Sequence, residues 1–362
     1  MRSLRISIAV ITSILVSFGI SMIYSSSGIY AMHDLGDGLY FLKRHILFLI
    51  MGITGTIAVM TIDYRDLQKF SKPLLLTAIA MLVLVLIPHI GKSINGAQRW
   101  FKLGIINFQP SEFAKIAMLI YVADFLSRKQ KVIRNFGQGC FPILSVMGIV
   151  CALILKQPDL GSTLLIATIV FIMFFIAGGN ARYIIYIGLL AIPAFYVLVV
   201  NVPYRWTRIV TFLDPWDDPD GAGFQLTQSQ IAFGSGGLWG LGLGKSLQIL
   251  FYLPAAHTDF ILSIIGEELG FFGAFFVISL FICFIWQGAR IAKRITDPFG
   301  YFLSIGIVSM IGLQAMVNVG VSIGALPTKG LPLPFISYGG SSLIFHLMAV
   351  GLLLNISRIN DL

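Results

Sequence analysis

Three carboxylates, Asp259, Glu267 and Glu268, fall within ten residues of a chain that is 57% hydrophobic and only 11% charged. If one helix starts near Asp259, the two glutamates lie about 12–14 Å further along it at 1.5 Å per residue. The three therefore cannot share one catalytic centre. Facing lipid, each costs a few kcal/mol, so all three are expected to face protein or water. Asp259 follows His257 and Thr258 at the water boundary, where partial desolvation gives a carboxylate a pKa useful to a general base. Helix capping through Thr258 or Asp259 stands beside that reading. Glu267 and Glu268 read more simply as hydrogen-bonding groups between packed helices.

Other charges sit where they could serve a site. In QPSEFAK, Gln109 to Lys115, Pro110 suits the first helical position, Glu112 complements the helix dipole, and Lys115 is its i,i+3 partner. Lys115 lies about a turn inside an apolar run, where a lone basic residue costs roughly 2.5–3.5 kcal/mol; a pair with Glu112 facing a polar cavity avoids that cost. In KQPDLGS, Asp159 is either an N-cap or a cavity-rim acid. PYRWTR sets Arg205 and Arg208 beside Trp206, which reads as interfacial anchoring or as anion binding by planar guanidinium forks. Arg99, Lys102 and Lys245 would add cations for an anionic head group. Two motif matches fail. FGSGGLWGLGLGKS ends like a phosphate-binding loop but has tryptophan at 239 and no buried strand before it. DPWDDPDGAG lacks the first and last ligands of a calcium loop.

The elements that must position these residues are membrane helices. A soluble domain carries about 25% charged residues, and here apolar runs long enough to span roughly 30 Å of hydrocarbon recur throughout. Ten are counted, near 6–24, 45–62, 74–90, 111–126, 140–156, 160–177, 183–200, 260–286, 300–325 and 339–356. The first is too long for a cleaved signal segment and reads as a retained helix. The expected fold is an all-α polytopic domain over 1–362 with about ten transmembrane helices and one large extracytoplasmic loop, about 201–258, between the seventh and eighth. With an even number of spans the termini share a side. That side carries about fourteen basic residues against about ten opposite, which places both termini in the cytoplasm. The net charge of +9 therefore belongs to membrane ends and anionic lipid, not to nucleic acid. Cys140, Cys151 and Cys283 fall in or beside spans with no disulfide or metal spacing. The loop at 201–258 holds Trp206, Trp216, Trp239, Phe251 and Tyr252 and reads as ordered against the interface. Two smaller outside segments, near 89–109 and 326–338, look shaped; Pro327, Pro332 and Pro334 demand irregular backbone, which survives at membrane depth only where protein or water covers it.

Taken together, GAQRWFKLGIINFQPSEFAK, KQPDLGS, FGSGGLWGLGLGKS, PAAHTDFILSIIGEELG and LPTKGLPLPFISYGGSS resemble the SEDS family of bacterial membrane glycosyltransferases, the RodA and FtsW type, in the right order over nearly the whole chain. IGEELG and the proline-rich motif look closer to the division branch than to the elongation branch. The resemblance implies polymerisation of lipid II into peptidoglycan strands at the outer face of the cytoplasmic (inner) membrane, with a class B penicillin-binding protein as transpeptidase partner among other divisome or elongasome proteins. It implies Asp259 as the catalytic residue, with Glu112, Lys115 and Asp159 matching the family's charged positions. Arg205, Arg208, Lys115 and Lys245 are the expected cations for the departing diphosphate, Arg99 adds to the positive outer face, and His257, Thr258 and Ser337 complete the expected substrate-binding set. The family implies a divalent cation, Mg²⁺ or Mn²⁺, and no organic cofactor; the sequence shows no metal cage. The rival reading is a transporter that flips the same lipid-linked precursor, since intramembrane carboxylates and proline-broken helices suit one too. A scaffold that only recruits the transpeptidase is a third.

Overall fold

The computed structural model describes residues 1–94, 96–104, 106–248 and 256–361. Each apolar run falls on a helix: α1 (Arg2–Leu35), α2 (Tyr40–Thr61), α4 (Ser71–Leu84), α5 (Pro110–Lys129), α6 (Phe141–Lys156), α7 (Leu160–Ile176), α8 (Ala181–Phe195), α11 (Ile261–Ala292), α12 (Pro298–Ser322) and α13 (Gly340–Ile359). Short α3 (Tyr64–Lys69) links α2 to α4. Among the described residues, six helical stretches, α1, α2, α6 with its leading turn, α11, α12 and α13, are long and apolar enough to cross a membrane; α4 and α7 are apolar but shorter. The chain is a multi-pass membrane protein.

Helix α12 is central, packed against α5, α7, α11 and α13, while α13 lies along α2. At one end, the Asn355 amide donates to the carbonyls of Val59, Met60 and Ile62 and its oxygen accepts from Tyr64 N, tying α13 to the α2–α3 corner. Arg5 pairs with Asp361 at 3.1 Å at the same end.

Two features depart from the expected all-helical bundle with simple spans. The segment at 89–109 forms an antiparallel meander of β1 (Gly91–Ile94), β2 (Ala97–Leu103) and β3 (Ile106–Phe108), in which Phe101 faces Phe108. Its alternation of Gln98, Trp100 and Lys102 with Arg99 and Phe101 suits a two-faced sheet, and the pairing satisfies backbone that a loop would leave to water. The run at 260–286 is not one uninterrupted helix: within α11, Gly270 has φ 68 and ψ −165, a conformation essentially confined to glycine. The break separates a short rod, residues 261–269, from the long remainder.

The segment from 201 to 258 contains α9 (Pro203–Leu213) and α10 (Phe224–Gly236), followed by the glycine-rich stretch that ends near Ser246. Trp206, Trp216 and Trp239 are exposed, in keeping with an interfacial position. Phe251 and Tyr252 lie outside the described residues. The proline segment is irregular, as expected, and covered: Leu331, Leu333, Phe335 and Ile336 are buried.

Candidate active site

The site is assembled from four irregular junctions rather than from one helix. Asp259 lies in the turn before the rod. A Cβ placed on Gly330 would sit 3.5 Å from Asp259 Oδ2, so the 326–338 segment runs directly against this carboxylate. The Asn318 amide of α12 donates at 2.8 Å to both Asp259 O and Leu331 O, holding the two strands of chain together. Burial pushes the Asp259 carboxyl up to about 6, against the opposing pull of Arg208 and Arg99 and with help from the charge of Asp159. Its side chain keeps part of its surface open. A carboxylate that is part-desolvated, still reachable and half-titrated near pH 6 can take a proton from a substrate hydroxyl.

Asp159 forms the cap that its sequence allowed, and its charge reaches Asp259. It is the N-cap of α7, with Oδ1 accepting from Ser162 N at 3.0 Å, and it is close enough to raise the proton affinity of Asp259. The α6–α7 turn packs on the proline segment, for a Cβ on Gly161 would come within 2.8 Å of Lys329 O. Arg99 of β2 donates to Gln157 O at 2.7 Å and to Pro158 O, so the meander is fastened to that turn and brings its guanidinium toward the acids. Arg208 of α9 donates to Thr328 O at 3.1 Å and is close enough for its charge to act on Asp259. The side chain of Arg205 lies outside the described residues.

Glu112 and Lys115 are paired as their spacing predicts, Nζ to Oε2 2.8 Å, but the pair is enclosed: the two side chains are 3% and 1% exposed. Lys115 also donates to Gln314 Oε1 at 3.0 Å, and the Gln314 amide donates to Pro332 O at 2.9 Å. Gln314 and Asn318 are one turn apart on α12, so the ion pair and Asp259 hang on adjacent carbonyls of the same proline segment. The Lys115 ammonium is thus committed to the support beneath the site.

Other expected residues lie at the margins. His257 is in an aromatic cluster, its ring 4.4 Å from Phe41 and 5.8 Å from Tyr338, while its carbonyl accepts from Tyr338 N at 2.9 Å. Burial lowers its pKa to about 4, leaving the imidazole neutral. Thr258 is half-buried between His257 and Asp259. The Ser337 hydroxyl accepts from Leu333 N at 2.9 Å, closing a turn of the proline segment. Lys245 is exposed on the glycine-rich stretch, beside the residues that Glu267 and Glu268 hold. The sequence reading passed over Gln314, Asn318 and Lys329. The two amides stand four residues apart in an otherwise apolar helix, a signal that was available; Lys329 shares the proline segment and is partly desolvated, which lowers its pKa.

Residues 5–361 match the family described as "Cell cycle protein", which unites FtsW, RodA and SpoVE. The chain belongs to this family. Among FtsW/RodA/SpoVE relatives, it is 48% identical over 343 residues to a probable peptidoglycan glycosyltransferase FtsW from Geobacter metallireducens, covering 95% of this chain and 92% of that one. It is 44% identical over 352 residues to stage V sporulation protein E of Bacillus subtilis, covering 97% and 96%. Its fold is similar to that of a chain in a peptidoglycan synthase complex described as coordinating polymerization and crosslinking, with TM-score 0.81, 29% identity and coverage of 98% and 97%. It is also similar to the rod shape determining protein RodA of Thermus thermophilus, with TM-score 0.71 and 28% identity over 98% of this chain and 97% of the other.

Proposed function

We propose that this FtsW/RodA/SpoVE member is a peptidoglycan glycosyltransferase that extends glycan strands from lipid II by inverting transfer. Asp259 takes the proton of the acceptor N-acetylglucosamine 4-hydroxyl as that oxygen attacks the anomeric carbon of the donor. The carbon–oxygen bond to the diphosphate breaks, undecaprenyl diphosphate leaves, and an α-linked donor becomes a β-1,4 linkage. The observation that carries the reading is Asp259 itself, a reachable carboxylate raised to about 6 by burial and faced by Arg208 and Arg99. General base catalysis of this kind contributes about 10²- to 10⁴-fold. The two guanidiniums meet the charge that develops on the departing diphosphate. The charge of Asp159 raises the proton affinity of the base against the lowering pull of those arginines.

The family implies a bound Mg²⁺ or Mn²⁺. Among the described residues no three of His, Cys, Asp and Glu are placed to hold a metal ion, and Asp259, which feels the charge of Asp159, is also pulled on by Arg208 and Arg99. On this reading a cation would accompany the diphosphate substrate, and no catalytic step is assigned to it. The reading extends to place and partner. The protein sits in the cytoplasmic membrane with both termini in the cytoplasm and works beside a class B penicillin-binding protein. Contact between Arg5 and Asp361 supports an even number of crossings, ten on this reading. The name of the synthase complex supports a crosslinking partner.

The test is purified chain, alone and with its partner, incubated with lipid II. Strand growth by wild type, abolished in Asp259→Ala while lipid II still binds, supports transfer. Movement of lipid II across liposomes with no polymer formed favours the transporter.

A further inference from the structure

The break at Gly270 leaves the rod 261–269, which begins two residues after Asp259, without a continuous hydrogen-bonded ladder to the rest of α11. In an unbroken helix the carbonyls of Glu267 and Glu268 would accept from residues 271 and 272. Here they accept from Leu241 N and Gly242 N, each at 2.9 Å, and Phe271 N donates instead to Gly237 O at 2.8 Å. The glycine-rich stretch is thus inserted into the helix at the break. The approach is so close that a Cβ on Gly240 would meet Glu268 O at 2.2 Å. The two side chains complete the grip. Glu267 accepts from Leu247 N at 2.9 Å and from the Ser246 hydroxyl; Glu268 accepts from Gly244 N at 3.1 Å and from the Ser25 hydroxyl of α1 at 2.6 Å. At mid-rod, Ser263 meets Ser229 of α10 at 2.6 Å.

Resting on the glycosyltransferase reading, we propose that Glu267 and Glu268 are positioning residues: by clamping the far end of the rod to residues 241–247 and to α1, they set where Asp259 stands against the proline segment. The rod is a lever with three holds: Asn318 at the Asp259 end, Ser263 at its middle and the glutamate clamp at its tail. Loosening the tail lets the head swing away from Gly330 and admits water to Asp259. The charged groups facing that carboxylate are Arg208 on α9, Arg99 on β2 and Asp159 at the start of α7; none belongs to the rod, so their hold on it changes when the rod moves.

The experiment measures lipid II polymerisation by full-length wild type and by Glu267→Ala, Glu267→Gln, Glu268→Ala, Ser25→Ala and Gly240→Ala across pH, with thermal melting of each. The alanine variants are expected to lose about tenfold in kcat with KM little changed. Their acid limb is expected to move about one pH unit down, toward an ordinary aspartate near 3.9. Glu267→Gln, whose amide oxygen still accepts from Leu247 N and whose amide NH2 can donate to the Ser246 hydroxyl oxygen, is expected to keep the wild-type limb. Alanine variants that melt like wild type with an unmoved acid limb overturn the proposal, because a purely structural glutamate lowers the active fraction without changing the base. If the glutamate and glycine variants do not fold, Ser25→Ala, which removes one hydrogen bond, decides by the same two outcomes. Persistent activity in Asp259→Asn overturns the underlying reading instead, and so distinguishes the two failures.

Discussion

At the residue scale, the proposed role of Asp259 as the base, in the environment it has, leads to two pH effects of opposite sense. Catalysis needs the ionised carboxylate, so polymerisation should climb with pH through about 6 and level above it, a profile read from initial rates in a buffer series. Stability runs the other way. The folded state holds this proton up to about 6 and the unfolded chain only to about 3.9. Over that window the unfolded chain binds fewer protons, and stability falls as pH rises. Asp259→Asn should therefore stop transfer while melting no lower than wild type, and should remove its share of the decline between those pH values. A variant that melts several degrees lower at neutral pH would mean that the ionised carboxylate holds the fold together instead.

At the element scale, the enclosed Glu112–Lys115 pair supports the proline segment through Gln314. Breaking such a pair from one side leaves an uncompensated charge and costs about 3–5 kcal/mol, whereas replacing both partners with neutral groups of similar shape is far milder. Lys115→Met should accordingly destabilise the protein strongly, and Glu112→Gln combined with Lys115→Met should recover much of the loss in thermal melts. If the double variant melts well but remains inactive, the pair acts through the placement of Pro332 and Gly330. Recovery of both stability and rate would confine it to structural support. The meander acts similarly at longer range: Arg99→Gln removes the donors to Gln157 O and Pro158 O and one of the two cations that face Asp259, so it should lower kcat by about tenfold and shift the acid limb upward. The sign follows from losing a positive charge that favours the ionised acid.

At the scale of the whole molecule, the bundle places α9, the meander and the proline segment together at one end and the termini contact of Arg5 with Asp361 elsewhere, on helices that cross the membrane. In a variant with Cys140, Cys151 and Cys283 replaced, Asp217→Cys should react with a membrane-impermeant thiol reagent in intact spheroplasts, and Lys131→Cys only after lysis. The reverse labelling would invert the topology. Chelation with EDTA should slow polymerisation without shifting the melting temperature, since no described cluster in the protein holds a cation; a drop in melting temperature would reveal a resident metal.

Several parts of this were legible in the sequence because they follow from local physics. Apolar runs of spanning length are helices, since in hydrocarbon each backbone group must be satisfied within its own segment. The i,i+3 spacing of Glu112 and Lys115 dictates their pairing, the position of Asp159 before Leu160 dictates a cap, and Pro327, Pro332 and Pro334 dictate irregular, covered backbone. The meander was half legible: Asn95-Gly96 is a hairpin signature, but short strands between spans give a weak periodic signal. What only the tertiary structure decided is which charges meet. Nothing local says that Lys115 turns inward to Gln314, or that Asn318 joins Asp259 to the proline segment. The sequence separated Glu267 and Glu268 from the site by depth along a helix, and that much follows from rise per residue. Their grip on residues 241–247 depends on a second stretch of chain entering a helix at Gly270, a contact between segments more than twenty residues apart that no local pattern encodes.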